Sequence, residues 1–261
     1  MKHYIWLYLR MLAVNIKSQL SFKADFWIMF LSGSLSQILN ILFIFVLFNR
    51  IPTLAGWDMW EIAFMLSLFY ITEGLASIFF EGTWSLPSIV NRGEFDRLLL
   101  RPIPTVIQIF TLGFGPQGVG NVLLGLTILV YSFKETAMEL TPSNIVLLSF
   151  SILFGVIIRV AINLITSITS FWTKNGNPIM MASNSILEFS KYPISIYILP
   201  IKILLLLIPY SYITFIPAAL FFEKEFWKYL FYLFPVVTVY IILVAKLVLK
   251  LALNKYESFG N

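Results

Sequence analysis

Six stretches of the chain are apolar over lengths that match a bilayer: residues 26–48, 60–80, 105–133, 145–172, 194–215 and 226–250. A helix needs about 20 apolar residues to cross roughly 30 Å of hydrocarbon, so each stretch predicts one span. The segments between them are too short to fold as separate domains. Residues 1–24 follow another rule: Ile5, Leu9, Leu12, Ile16 and Leu20 recur at helical spacing, with Arg10 and Lys17 beside them and Trp6 and Tyr8 nearby. That pattern predicts an amphipathic helix lying in the membrane interface. Arg10 and Lys17 also interrupt the place where the apolar core of a cleavable signal peptide would run, so the helix is expected to stay as a lever leading into the first span. The expected fold class is an all-α integral membrane protein of six transmembrane helices, with residues 1–261 forming one domain.

Glycine and proline mark two of these stretches. In the third, Gly113, Gly115, Pro116, Gly118 and Gly120 crowd together. Such a cluster predicts either a kinked or broken helix or a close helix contact through small residues. In the fifth, Pro193, Pro200, Pro209 and Pro217 recur. This span is expected to be interrupted near its outer end, with residues 211–225 turning back as a re-entrant element before the last span.

Charged residues make up 12% of the chain, about half the share of an ordinary soluble domain, so most of the surface must face lipid. Their distribution orients the bundle. Lys2, Arg10, Lys17, Lys23, Arg92, Arg97, Arg101, Lys174, Lys191, Lys246, Lys250 and Lys255 fall on the side shared by the termini, whereas only Arg50, Lys134, Lys224 and Lys228 fall on the other. This bias predicts that both termini are cytoplasmic. Anionic membrane lipids suffice as partners for the net charge of +5, and no nucleic acid is implied. With no cysteine, thiol chemistry is excluded, and with a single histidine, His3, at the headgroup-level N-terminal helix, zinc sites and histidine-centred catalysis are not expected.

Ionisable groups at membrane depth cost about 2.5–3.5 kcal/mol on insertion scales, so each needs a partner or water. Three fall inside the predicted spans: Glu73, Arg159 and Lys202. An ion pair between Glu73 and Arg159, with Asn163 one turn on from the arginine, would relieve two of them together. Two roles are open to such a pair: lining a translocation path, or fixing helix packing. Lys202 is expected to snorkel to the headgroups.

Between the second and third spans the sequence GEFDRLLLRP sets Glu94, Asp96, Arg97 and Arg101 among leucines. Residues 84–101 read as two short helices bearing Ile89, Val90, Phe95 and Leu98, a mixture of charge and apolar anchors that predicts a docking surface for a soluble partner. No catalytic residue, metal or cofactor is expected on this chain, and it carries no GxxxxGK[ST] loop for nucleotide. An ATP-driven transporter would therefore need its ATP and magnesium on another polypeptide.

Three stretches resemble a known family, the permease subunits of bacterial type-2 ABC exporters, in the branch of about 260 residues. GEFDRLLLRPIP at 93–104 looks like its loop between spans two and three. FSKYPISIYILPIKILLLLIPYSYITFIPAALFF at 189–222 is similar to its fifth-span region, and YESFG at 256–260 to its ending. The resemblance implies a multi-pass protein of the bacterial cytoplasmic membrane, a coupling element within 84–101 and re-entrant helices before span six. It also implies cytoplasmic ABC ATPase subunits as partners, with Glu94, Phe95, Asp96, Arg97 and Arg101 at the contact, and a second permease forming a homo- or heterodimer. A secondary transporter is the alternative, but the halves show no convincing repeat. An intramembrane lipid enzyme would need an acid, a base and a nucleophile converging, which this residue inventory lacks.

Overall fold

The computed structural model describes residues 2–139, 141–173 and 175–256, and these are helical apart from turns and a single bridge between Leu54 and Trp57. Helix α1 (Lys2–Ser21) is broken from α2 (Lys23–Phe48) at Phe22, whose φ of −97° and ψ of 70° leave the helical region. The face that α1 turns to the protein carries Tyr8, Leu12 and Asn15, while Ile5, Leu9 and Leu20 of the predicted stripe are exposed. Helix α2 is as apolar as expected but hardly packed, with 6% of its most apolar stretch buried.

Helix α3 (Met59–Phe80) is the axis of the bundle, 78% buried over its most apolar stretch. Its start is set by a capping box in which Asp58 accepts from the Glu61 backbone at 2.8 Å and Glu61 accepts from the Asp58 backbone at 3.1 Å. At Glu81 the chain turns into α4 (Gly82–Asn91), followed by the single-turn α5 (Asp96–Leu99) and α6 (Thr105–Phe110). Helix α7 (Gln117–Glu135) starts only after a non-helical stretch of six residues, 111–116.

Both expectations for the glycine cluster are therefore realised in the third stretch. Gly113, Gly115 and Pro116 break it, and the Gly115 backbone N–H recovers a partner by donating to Ser77 O at 3.2 Å. Beyond the break, glycines let α7 lie directly on α3: a Cβ on Gly118 would stand 2.6 Å from Gly74 O, and one on Gly125 would stand 2.8 Å from the Ile71 side chain.

Helix α8 (Pro142–Ile168) opens with Thr141 capping Asn144 at 3.3 Å and leads through α9 (Ser170–Thr173) to α10 (Asn177–Glu188). After two 3-10 turns come α11 (Leu199–Leu207), α12 (Phe215–Phe221), α13 (Glu225–Tyr229) and α14 (Phe234–Lys255), the last running along α8. Among the described residues, four helical stretches are long and apolar enough to cross a membrane, Lys23–Phe48, Met59–Phe80, Pro142–Thr173 and Phe226–Lys255. A fifth appears if Leu199–Leu207 and Tyr210–Phe221, bent by 76°, count as one. The third stretch drops out because its break leaves α7 short, with Gln117, Asn121, Lys134 and Glu135 diluting it.

The fifth stretch differs from its prediction. No helix spans 194–215, because Pro193, Pro200 and Pro209 each remove a backbone donor. Instead α10 already packs back along α8, and α11 and α12 form a bent pair whose apex, Tyr210, donates to or accepts from Ser183 of α10 at 2.5 Å. This rearrangement moves Lys191 from the predicted loop to the middle of α3, with its Nζ 4.7 Å from the ring centre of Phe69 and 5.8 Å from that of Tyr70. Lys174 and residues 257–261, which include all of the YESFG ending but Tyr256, lie outside the described residues. Lys202 sits partly exposed on α11, whose Leu199, Ile203 and Leu207 face away from the bundle.

Candidate functional site: a polar ladder and a charged hairpin

Arg159, on α8, is the largest wholly buried side chain, 1% exposed. Its guanidinium meets Glu73 of α3 through two bonds, Nε to Oε2 and Nη2 to Oε1 at 2.9 Å. This is the two-pronged geometry that a carboxylate offers to arginine. Nη1 donates to Asn163 one turn further along α8, and Nη2 also donates to Asn184 Oδ1 of α10 at 2.6 Å. Asn184 is oriented by its own Nδ2, which donates to Met180 O at 2.7 Å. Glu73, Arg159 and Asn163, grouped in the sequence reading, lie within hydrogen-bonding distance of one another through the guanidinium, and Asn184 joins them from a third helix.

One turn beyond Asn184, Glu188 pairs with Lys191. Lys191 is buried behind this pair, whereas the Glu188 side chain is 57% exposed on the outer face of α10, in line with Met181 and Ser185. A carboxylate thus looks outward near the middle of α3. A second polar cluster lies toward the end of α3, where Gln117 of α7 donates to Ser77 at 3.0 Å and to Glu81 at 3.2 Å, and Ser77 donates to Glu81 at 2.7 Å.

Asn184, Glu188 and Lys191 escape a hydropathy reading, because a mixed stretch such as NPIMMASNSILEFSK averages to the polarity of a loop. A helix-start signal was present in Gly176, Asn177 and Pro178, with Pro at the first turn.

The charged hairpin hangs from the same end of the bundle as α1. Phe95 is wholly buried, its ring 4.8 Å from Phe171 and 5.1 Å from Tyr256. Val90 and Leu98 are buried too, and Ile89 is half-buried. The expectation that Ile89, Val90, Phe95 and Leu98 present an apolar docking face is therefore corrected. These residues pin the hairpin to its own protomer, since the helix turns inward the side chains that gain most from burial.

The exposed positions are Asn91, Arg92, Arg97, Leu99, Leu100 and Arg101, with Glu94 and Asp96 half-buried between them. Arg92 and Glu94 pair at 3.2 Å. Burial, with the Asp96 carboxylate alongside, pushes the Tyr256 hydroxyl up to about 12. The C-terminal end of the described chain is thereby built into the joint.

Gln108 of α6 closes the hairpin, its Nε2 donating to Leu98 O at 2.9 Å and Ile103 O at 2.8 Å. At the opposite end of α3, Lys224 fastens the chain after α12, with Nζ 2.7 Å from Glu61, 3.0 Å from Gly56 O and 4.6 Å above the ring of Trp57.

A buried ion-pair ladder crossing three helices, breaks at proline and glycine, and a charged hairpin fixed to one end describe a multi-pass membrane protein with a handle. The chain belongs to the ABC-2 transporter family: the family model described as ABC-2 family transporter protein matches residues 35–260. No curated protein and no solved structure gives a match. Members of this family are non-catalytic membrane subunits, and membership implies an ABC ATPase subunit as partner.

Proposed function

We propose that this chain is one of two permease subunits of an ATP-driven exporter in a bacterial cytoplasmic membrane, moving an amphipathic cargo outward. In this reading the chain crosses the membrane six times with both termini inside, and α1 lies in the inner interface. The bent pair α11 and α12 is a re-entrant element. ATP and magnesium reside on the partner. Closure of the ATPase pair pushes the hairpin at 84–101, and a two-state bundle biased by nucleotide opens a path between the permeases.

The observation that carries the reading is Glu188. Although Lys191 pairs with it, its carboxylate is more than half exposed near the middle of α3, and an outward polar face at that depth suits water or a second permease better than lipid. Met181, Ser185 and Glu188 on one stripe suit a cargo with both apolar and polar parts.

Two experiments test this. With the partner ATPase bound, replacing Asp96→Asn, Arg97→Gln and Arg101→Gln together is expected to reduce permease-dependent stimulation of ATP hydrolysis by about tenfold or more, as removal of interface contacts worth about 1 kcal/mol each would. Unchanged stimulation would remove the hairpin from the contact. Because the chain has no cysteine, Ser185→Cys gives a unique thiol. It is expected to react with a membrane-impermeant maleimide in vesicles holding the whole complex, while Leu243→Cys on the exposed flank of α14 stays unlabelled. Equal protection of both positions would keep water from that face of α10 and sink the path.

A further inference from the structure

The two ion pairs of the ladder are set the same way round. Arg159 is 1% exposed and Lys191 4%, whereas their carboxylates, Glu73 and Glu188, are 24% and 57% exposed. The cations are sealed inside the bundle and the anions lie toward its surface. Neither cation depends on its carboxylate alone: Arg159 also donates to Asn163 and Asn184, and Lys191 lies against the rings of Phe69 and Tyr70.

Hydrogen bonding on the outer face of α10 has the same polarity. Lys191 meets only Oε2 of Glu188, which leaves Oε1, on a side chain more than half exposed, with no donor among the described residues. One turn back, the exposed Ser185 hydroxyl donates to Met181 O at 3.1 Å, so its hydrogen is spent and its oxygen remains an acceptor. Met181 adds an exposed thioether and no donor. The side chains of the stripe Met181, Ser185 and Glu188 therefore offer acceptors and one negative charge to whatever lies outside, and no free N–H or O–H.

Charge complementarity separates the possible occupants. An acyl chain brings no donor to the carboxylate, and a second copy packed by the same stripe would set Glu188 against Glu188. An anionic headgroup would meet acceptors alone, with both nearby cations out of reach. We propose that the group this stripe receives is a cation bearing N–H donors, a primary ammonium or guanidinium on an amphipathic cargo. Its N–H groups donate to Glu188 Oε1 and Ser185 Oγ, and its apolar part lies along Met181. This rests on the reading of α10 as a wall of the path, and it makes the transporter selective for cations over phosphate- or carboxylate-headed molecules.

The test places a thiol beside the stripe at an exposed position that leaves its acceptors intact, Ala182→Cys, in the complete complex in phosphatidylcholine vesicles, whose headgroup has no N–H. Labelling by an impermeant maleimide is followed against dodecylammonium, dodecyltrimethylammonium and dodecyl sulfate. Dodecylammonium is expected to slow labelling saturably and dodecyl sulfate to leave it unchanged. Dodecyltrimethylammonium, equal in charge but without N–H, is expected to protect about tenfold more weakly, the worth of one charge-assisted bond. Adding Glu188→Gln with Lys191→Met removes the carboxylate without stranding a buried lysine and is expected to abolish the preference. Glu135→Gln, at an exposed carboxylate in the last turn of α7, is expected to keep it. Equal protection by the ammonium and the sulfate, equal protection by the two cations, or a preference retained without Glu188 would each overturn the proposal and leave the path standing. Protection by phosphatidylethanolamine added to the vesicles would overturn it in favour of an aminolipid headgroup. A thiol that fails to label before any probe is added would instead sink the path reading itself.

Discussion

Replacing Glu73 by leucine is expected to destabilise the protein by about 3–5 kcal/mol, and by more than replacing Arg159 by methionine does. The order follows from burial. Without Glu73 the guanidinium is left 1% exposed with only Asn163 and Asn184 as partners, neither of which carries a countercharge. Without Arg159 the carboxylate is still 24% exposed and is not sealed in as the guanidinium is. The double variant, Glu73→Leu with Arg159→Met, removes both charges and is expected to regain most of the loss, because two apolar side chains of similar size suit this depth. Unfolding of the detergent-purified protein, followed by tryptophan fluorescence for the four members of the cycle, measures this. Additive losses in the double variant would show that the two residues act separately.

The second large effect is steric. A Cβ on Gly82 would stand 1.9 Å from Ile109 O and 2.7 Å from Leu112 N, both backbone atoms that no rotamer change can move. Gly82→Ala is therefore expected to prise α4 from α6, costing about 3 kcal/mol at the upper end of overpacking effects. It should also uncouple the hairpin, which hangs from α4. Gly113→Ala is the control: its nearest contacts are at 3.6 Å, ordinary van der Waals distance, and its Tm is expected to stay near that of the parent. If the two alanine variants melt alike, the close approach of α4 and α6 is not a determinant of the fold.

The sequence displayed the parts of this architecture that rest on single residue types. Glu73 and Arg159 stand out because charges are so costly within spans. The prolines at 193, 200 and 209 and the glycines at 113 and 115 mark real breaks. Less legible were features set by several segments at once. Asn184 completes the Arg159 cluster from a stretch whose mean polarity hides a helix, and Lys191 is buried only because α10 packs back on α8 and brings it to Phe69. Phe95 looks like a docking anchor on an isolated hairpin. It is an internal one because Phe171 and Tyr256, distant in the chain, enclose it. Hydropathy averages along the chain, whereas these contacts are made across it.

The fork of Arg159 has a mechanical consequence. By holding α3, α8 and α10 through one planar group, it makes those three helices a single stiff block, since sliding any of them would strand a buried charge. The pieces outside the block with most freedom to move are the joint at Phe22 and the loosely seated α2. The bundle thus combines a core built to travel whole with a first helix pair, hinged at Phe22, that it leaves least secured.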